Sequence, residues 1–131
     1  MAPYRDTGEM ISTINALGLA HSPGYPLYIN LGKLFINAIP WGNLGYRLNV
    51  LSALGGSLAA GFVYLFCRRV FGFFNLSISR VAVELCSFFV AVLFAASHLQ
   101  WYLSIVSEMY TLNIIFCILL VYVFSFFIPF F

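Results

Sequence analysis

Asp6 and Glu9 stand three positions apart in the run Asp6-Thr7-Gly8-Glu9, just ahead of an apolar stretch. That spacing suits a capping box, with Asp6 as N-cap and Glu9 at the third helical position, each satisfying backbone donors at the helix mouth. On spacing alone capping is the favoured reading, and it is compatible with a carboxylate that also accepts a proton. Glu108 precedes another apolar run, where a helix start favours negative charge and leaves the side chain within reach of water. His21 and His98 can donate to a phosphate or anchor at a membrane interface. They are too far apart, and too isolated from other ligand types, to define a metal site. The sequence has no nucleophile elbow, phosphate-binding loop or dinucleotide fingerprint. What remains is acid, base and cation. This set permits transfer of a group from a lipid-phosphate donor, with a carboxylate taking the acceptor proton and cationic or hydrogen-bonding groups stabilising the departing phosphate.

The elements that must position these residues are those of a membrane protein. The 131 residues are 63% hydrophobic and 8% charged, too little polar surface to cover a soluble core. A mean hydropathy of +0.98 fits side chains solvated by lipid. Six basic residues give a net charge of +2 but form no basic stripe, which argues against a nucleic-acid partner. Cys67, Cys86 and Cys117 lie in apolar stretches without ligand spacing and read as small buried hydrophobes.

Three uncharged or nearly uncharged runs are long enough to cross a bilayer, since about 20 helical residues span the hydrocarbon core. They predict transmembrane helices over about 47–69, 80–98 and 108–128, with a short loop after His98. Arg68, Arg69 and Arg80 flank the first connection and place it in the cytoplasm. Lys33 and Arg47 on the other side weaken that bias without reversing it. Residues 1–46 are then non-cytoplasmic, as is the turn carrying His98 and Glu108, so polar chemistry from two distant segments meets on one face. Glu84 falls on the cytoplasmic side, one turn after Arg80, and is expected to pair with it.

Within the outer region, Glu9 to Ala20 reads as a short helix with Ile11, Ile14 and Leu17 on one face. His21 to Pro26 is a turn rich in Pro and Gly. Pro26 to Ile39 is a juxtamembrane helix stopped by Pro40 and too short to span. In the first span Ser52, Gly55, Gly56 and Ala59 form part of a small-residue stripe suited to close helix packing.

The runs RDTGEMISTINALGLAHSPGYPLYINLGKLF, YRLNVLSALGG and SEMYTLN, in this order, resemble a multi-pass membrane family formerly of unknown function. That family includes the endoplasmic-reticulum transmembrane protein O-mannosyltransferase of animals and bacterial relatives, and it is similar to the GT-C class of glycosyltransferases. The resemblance implies an all-α, polytopic membrane protein: an N-terminal fragment of a GT-C-like helical bundle, with an outer-loop helix, a juxtamembrane helix and about three transmembrane helices. It also implies that an acid of the first outer loop serves the reaction. Asp6 matches that acid as general base, with Glu9 as its neighbour, and Glu108 matches the acid of a later outer motif that binds acceptor or donor. His21, Pro23, Gly24, Tyr25 and Pro26 match the family's His-Pro-Pro-Gly-Tyr-Pro turn, with Ser22 in place of its first proline. The hydrophobic helix expected before the loop acid is absent from this sequence.

By this resemblance the full-length protein is a glycosyltransferase of the bacterial inner membrane or endoplasmic reticulum. Its donor is a polyprenyl-phosphate sugar, and in one branch of the family the sugar is mannose and the acceptor a protein. His21, Tyr25, Arg47 and His98 are the candidate substrate-binding residues, with His21 and Arg47 assigned to the donor phosphate on their expected side of the membrane alone. Partners are the lipid bilayer, the lipid-linked donor, the acceptor and the remainder of the chain, with no cofactor or metal assigned. The rival class is a non-enzymatic membrane component, a transporter or assembly subunit, in which the same carboxylates cap helices or line a polar cavity.

Overall fold

A computed structural model describes residues 6–73 and 78–127. The start of the expected outer loop (residues 1–5), the middle of the expected cytoplasmic connection and the end of the expected third span lie outside these. The described residues form six α-helices and no strand: α1 Thr7–Ala16, α2 Pro26–Ala38, α3 Leu44–Phe73, α4 Arg80–Ala96, α5 His98–Ser104 and α6 Tyr110–Phe124.

α1 begins two residues earlier than its apolar pattern suggests and stops at Ala16, because Leu17 turns left-handed at φ 53°. The amides of Leu17 and Gly18 then close back on Ile14 and Thr13, satisfying carbonyls at the helix end. α2 starts at Pro26, whose missing N–H costs nothing in the first turn, and ends ahead of Pro40. Met10 and Ile14 of α1 are fully buried against Tyr28, Ile29 and Ile36 of α2, Leu48 of α3 and Met109, forming the main apolar core. The α1–α2 approach is close at Gly32, where a Cβ would sit 2.8 Å from the Ile14 side chain.

α3 has 30 residues, about 45 Å at 1.5 Å per residue, and runs beyond both ends of the expected span. Its small residues Ser52, Gly55, Gly56 and Ala59 are buried. Gly55 lies against Thr111 and Ile115 of α6, and Gly56 against Gln100 and Ser104 of α5, so the stripe seats two neighbours at once. α4 is capped by Ser79, whose hydroxyl accepts from the Ala82 amide at 3.2 Å. The loop expected after His98 is instead α5, bent by 65° from α4. Its polar residues gave the impression of a loop, but Gln100 is buried and turns its amide toward the Gly56 carbonyl at 3.5 Å.

Among the described residues α3 is the one helix long and apolar enough to cross a membrane, and only 22% of its most apolar stretch is buried within the chain. The bent pair α4 and α5 passes the same test taken together. α6 is apolar but has 15 residues, about 22 Å, short of the roughly 30 Å hydrocarbon core. Cys86 on α4 and Cys117 on α6 are exposed, contrary to the expectation of burial, because these helices turn broad apolar faces outward; Cys67 is half-buried. Glu84 also departs from expectation. Arg68 of α3 reaches its Oε1 at 2.8 Å and the Tyr64 hydroxyl donates to its Oε2, while no ion pair joins it to Arg80. Tyr64 and Arg68, one turn apart on α3, present two donors to a single carboxylate across the α3–α4 interface.

Candidate functional site

The turn after α1 brings His21 back over the first turn of that helix. Glu9 Oε1 accepts from the His21 backbone amide at 2.7 Å, and Glu9 Oε2 lies 2.9 Å from His21 Nδ1. Asp6 Oδ2 lies 3.9 Å from His21 Nε2, on the opposite side of the imidazole. The ring thus stands between two carboxylates. The Gly24 amide donates to the His21 carbonyl at 2.8 Å, with Gly24 at φ 87°, a conformation glycine adopts without steric cost. Tyr25 meets His21 edge to face at 5.8 Å between centroids.

This geometry replaces the capping box. The Asp6 side chain makes no cap hydrogen bond, and Glu9 turns away from the helix mouth toward His21. The carboxyl of Glu9 is held below its ordinary 4.5, first by the backbone N–H of His21 and then by the hydrogen bond and charge of the His21 ring. Glu9 is therefore ionised at neutral pH and acts as an acceptor only, so the proton it shares with His21 sits on Nδ1. Asp6, with a side chain 52% exposed, is open to solvent.

Glu108 lies on the inner side of the same wall. It is 4% exposed, not at the water surface as its place in the sequence suggests, because the α5–α6 turn folds beneath α1. The Thr7 hydroxyl, adjacent in sequence to Asp6, donates to Glu108 Oε1 at 3.5 Å. Around it Ser107 donates to the Asn49 side chain and reaches the Gly45 carbonyl at 3.4 Å. The hydroxyls of Tyr28 and Ser52 are buried close by without a partner at hydrogen-bonding distance among the described residues. Burial pushes the Tyr28 hydroxyl up to about 12, and the nearby Glu108 charge adds to the shift, so it remains protonated.

Asp6, Glu9, His21 and Tyr25 are thus brought together, and Glu108 adjoins them through Thr7. Arg47 and His98 make no hydrogen bond or ion pair with the cluster. Arg47 donates to the carbonyls of Ile36 at 2.8 Å, Pro40 at 2.9 Å, Gly42 at 3.1 Å and Trp41 at 3.2 Å, tying the end of α2 to the start of α3. His98 is the exposed first residue of α5, at the bend. Among the described residues, no group of three His, Cys, Asp or Glu side chains is arranged to hold a metal ion. Sequence reasoning missed Thr7, Tyr28 and Asn49. Only Asn49 left a signal, standing three residues before Ser52 on one face of α3.

The sequence profile described as Protein O-mannosyl-transferase TMEM260 N-terminal domain matches residues 6–127. The chain belongs to this family. The TMEM260 relationship also holds for individual relatives. The chain is 38% identical over 114 residues to Protein O-mannosyl-transferase TMEM260 of Mus musculus, covering 87% of this chain and 15% of the mouse protein. It is 32% identical over 119 residues to Protein O-mannosyl-transferase tmem260 of Dictyostelium discoideum, covering 89% of this chain and 13% of that protein. The chain therefore spans about one seventh of the length of these TMEM260 relatives. No solved structure matches it.

Proposed function

We propose that this chain forms the acceptor-activating part of a GT-C-like glycosyltransferase. The enzyme moves a sugar, mannose by the names of the relatives, from a polyprenyl-phosphate donor to a protein hydroxyl on the lumenal or periplasmic face. The membrane is the endoplasmic reticulum or the bacterial inner membrane. Three spans carry the site: α3, the bent pair α4 and α5, and α6. The connection flanked by Arg68, Arg69 and Arg80 faces the cytoplasm.

The observation that carries this reading is the pairing of a half-exposed acid, Asp6, with a histidine whose other nitrogen is fixed by Glu9. Asp6 accepts the proton as the acceptor oxygen bonds to the anomeric carbon and the bond from that carbon to the phosphate oxygen breaks. A single displacement of this kind inverts the anomeric centre. His21 positions the Asp6 carboxylate and, when protonated, lends positive charge where the phosphate departs. Tyr25 buttresses the imidazole. Glu108, buried under Thr7, holds the floor of the site and contributes to donor or acceptor binding. Arg47 and His98 lie on the same face, Arg47 acting through the α2–α3 corner that it ties.

Binding of polyprenyl-phosphate mannose to the full-length protein tests the assignment. Wild type and Asp6→Asn should bind the donor, since a base for the acceptor contributes little to donor affinity, and Glu108→Gln should bind more weakly. Absence of donor binding by wild type would favour a transporter or assembly subunit instead.

A further inference from the structure

At the far end of the bundle from Asp6, the end of α3, the start of α4 and the end of α6 enclose a cleft of about 850 Å³. Arg68, Arg69 and Arg80 line it, with Glu84 as the one carboxylate among the described lining residues. Both Glu84 oxygens are already engaged, one by Arg68 and the other by Tyr64. The rest of the wall is largely apolar. Arg69 stacks over the face of Phe126 with its guanidinium carbon 4.1 Å from the ring centroid, which holds a cation at the edge of an apolar surface. Arg80, at the first position of α4, is exposed.

We infer that this cleft binds the phosphate of an anionic membrane lipid. Among the described residues that line it, three guanidinium groups and one carboxylate make the cleft net positive in formal charge, and guanidinium groups recognise phosphate through paired N–H donors. Apolar walls beside the charge, at the level where the helices end, suit a headgroup joined to acyl chains better than a free ion. Basic pockets between helices on the cytoplasmic side are known to take such headgroups. The inference rests on the chain being embedded in a membrane and not on its being a transferase.

The test uses the full-length protein in phosphatidylcholine nanodiscs and reads its equilibrium preference for spin-labelled phosphatidylglycerol over phosphatidylcholine. Wild type should prefer the anionic lipid. Arg69→Gln with Arg80→Gln should lower that preference by up to about 30-fold, taking roughly fivefold for each basic residue near an anionic surface. Arg80→Gln alone, at an exposed site that leaves folding intact, should lower it by about fivefold, and Arg80→Lys should largely restore it. An equal preference in wild type and Arg80→Gln, or no preference in wild type, would overturn the inference. So would displacement of the lipid by inorganic phosphate at equal concentration, which would mark a site for the free ion.

Discussion

Glu9 accepts two hydrogen bonds from one residue, His21, through both its carboxylate oxygens: the backbone amide at 2.7 Å and ring Nδ1 at 2.9 Å. This double contact links the first turn of α1 to the turn that enters α2, and it sets the orientation of the imidazole toward Asp6.

The Glu9 tether should respond to pH with a defined sign. Its carboxyl is held below 4.5 in the folded chain, so folding favours the ionised form. The stabilisation is complete above 4.5 and is lost as pH falls through the lowered folded value. Thermal midpoints of the full-length protein and of Glu9→Gln should therefore differ at neutral pH and converge on acidification below 4.5. A difference that grows toward low pH would mean that the tether does not depend on the ionised carboxylate.

Gly56 sits at a close contact between α3 and α5. A Cβ there would lie 2.9 Å from Ser104 Cβ and 3.2 Å from Gln100 Nε2, whereas nothing lies within 4 Å of a Cβ at Gly61 on the same helix. Gly56→Ala should destabilise by about 1–3 kcal/mol through forced separation of α3 and α5. Gly61→Ala should be neutral or stabilising by up to about 1 kcal/mol through helix propensity. Denaturation of the two variants in detergent compares them directly, and equal stabilities would argue against the α3–α5 packing.

Local punctuation made α2 legible almost to the residue: Pro26 opens it, and it ends at Ala38 against an expected Ile39, ahead of Pro40. The gathering of Asp6 and Glu9 at a helix mouth was equally readable, since acids near a helix start obey a short-range rule. What their side chains do was not. A capping box and a reach to His21 begin from the same spacing, and the choice between them depends on where the following turn places residue 21. The same limit hid α5. Gln100 and Ser104 read as loop polarity, yet they are one turn apart and face the Gly56 backbone, a partner 44 positions from Gln100. Glu84 chose Arg68 over its sequence neighbour Arg80 because the α3–α4 interface presents two donors where the local pair would have presented one.

Sidedness has its own consequence. In full-length protein with every native cysteine replaced, including Cys67, Cys86 and Cys117, thiols introduced by Ser22→Cys and His98→Cys should react with an impermeant reagent from the lumenal or periplasmic side. A thiol from Gly72→Cys, where a Cβ meets nothing within 4 Å, should react only after permeabilisation. Labelling of positions 22 and 98 from different sides would separate the two segments that the proposed site requires on one face.

The most direct test of the proposed chemistry is sugar transfer from polyprenyl-phosphate mannose by full-length Asp6→Asn, with membrane insertion and thermal midpoint measured alongside. The substitution removes the proton acceptor while leaving Glu9 and His21 joined, so the rate should fall by about 10²–10⁴-fold with insertion and stability unchanged. Transfer at the wild-type rate would contradict the role of Asp6 as the base.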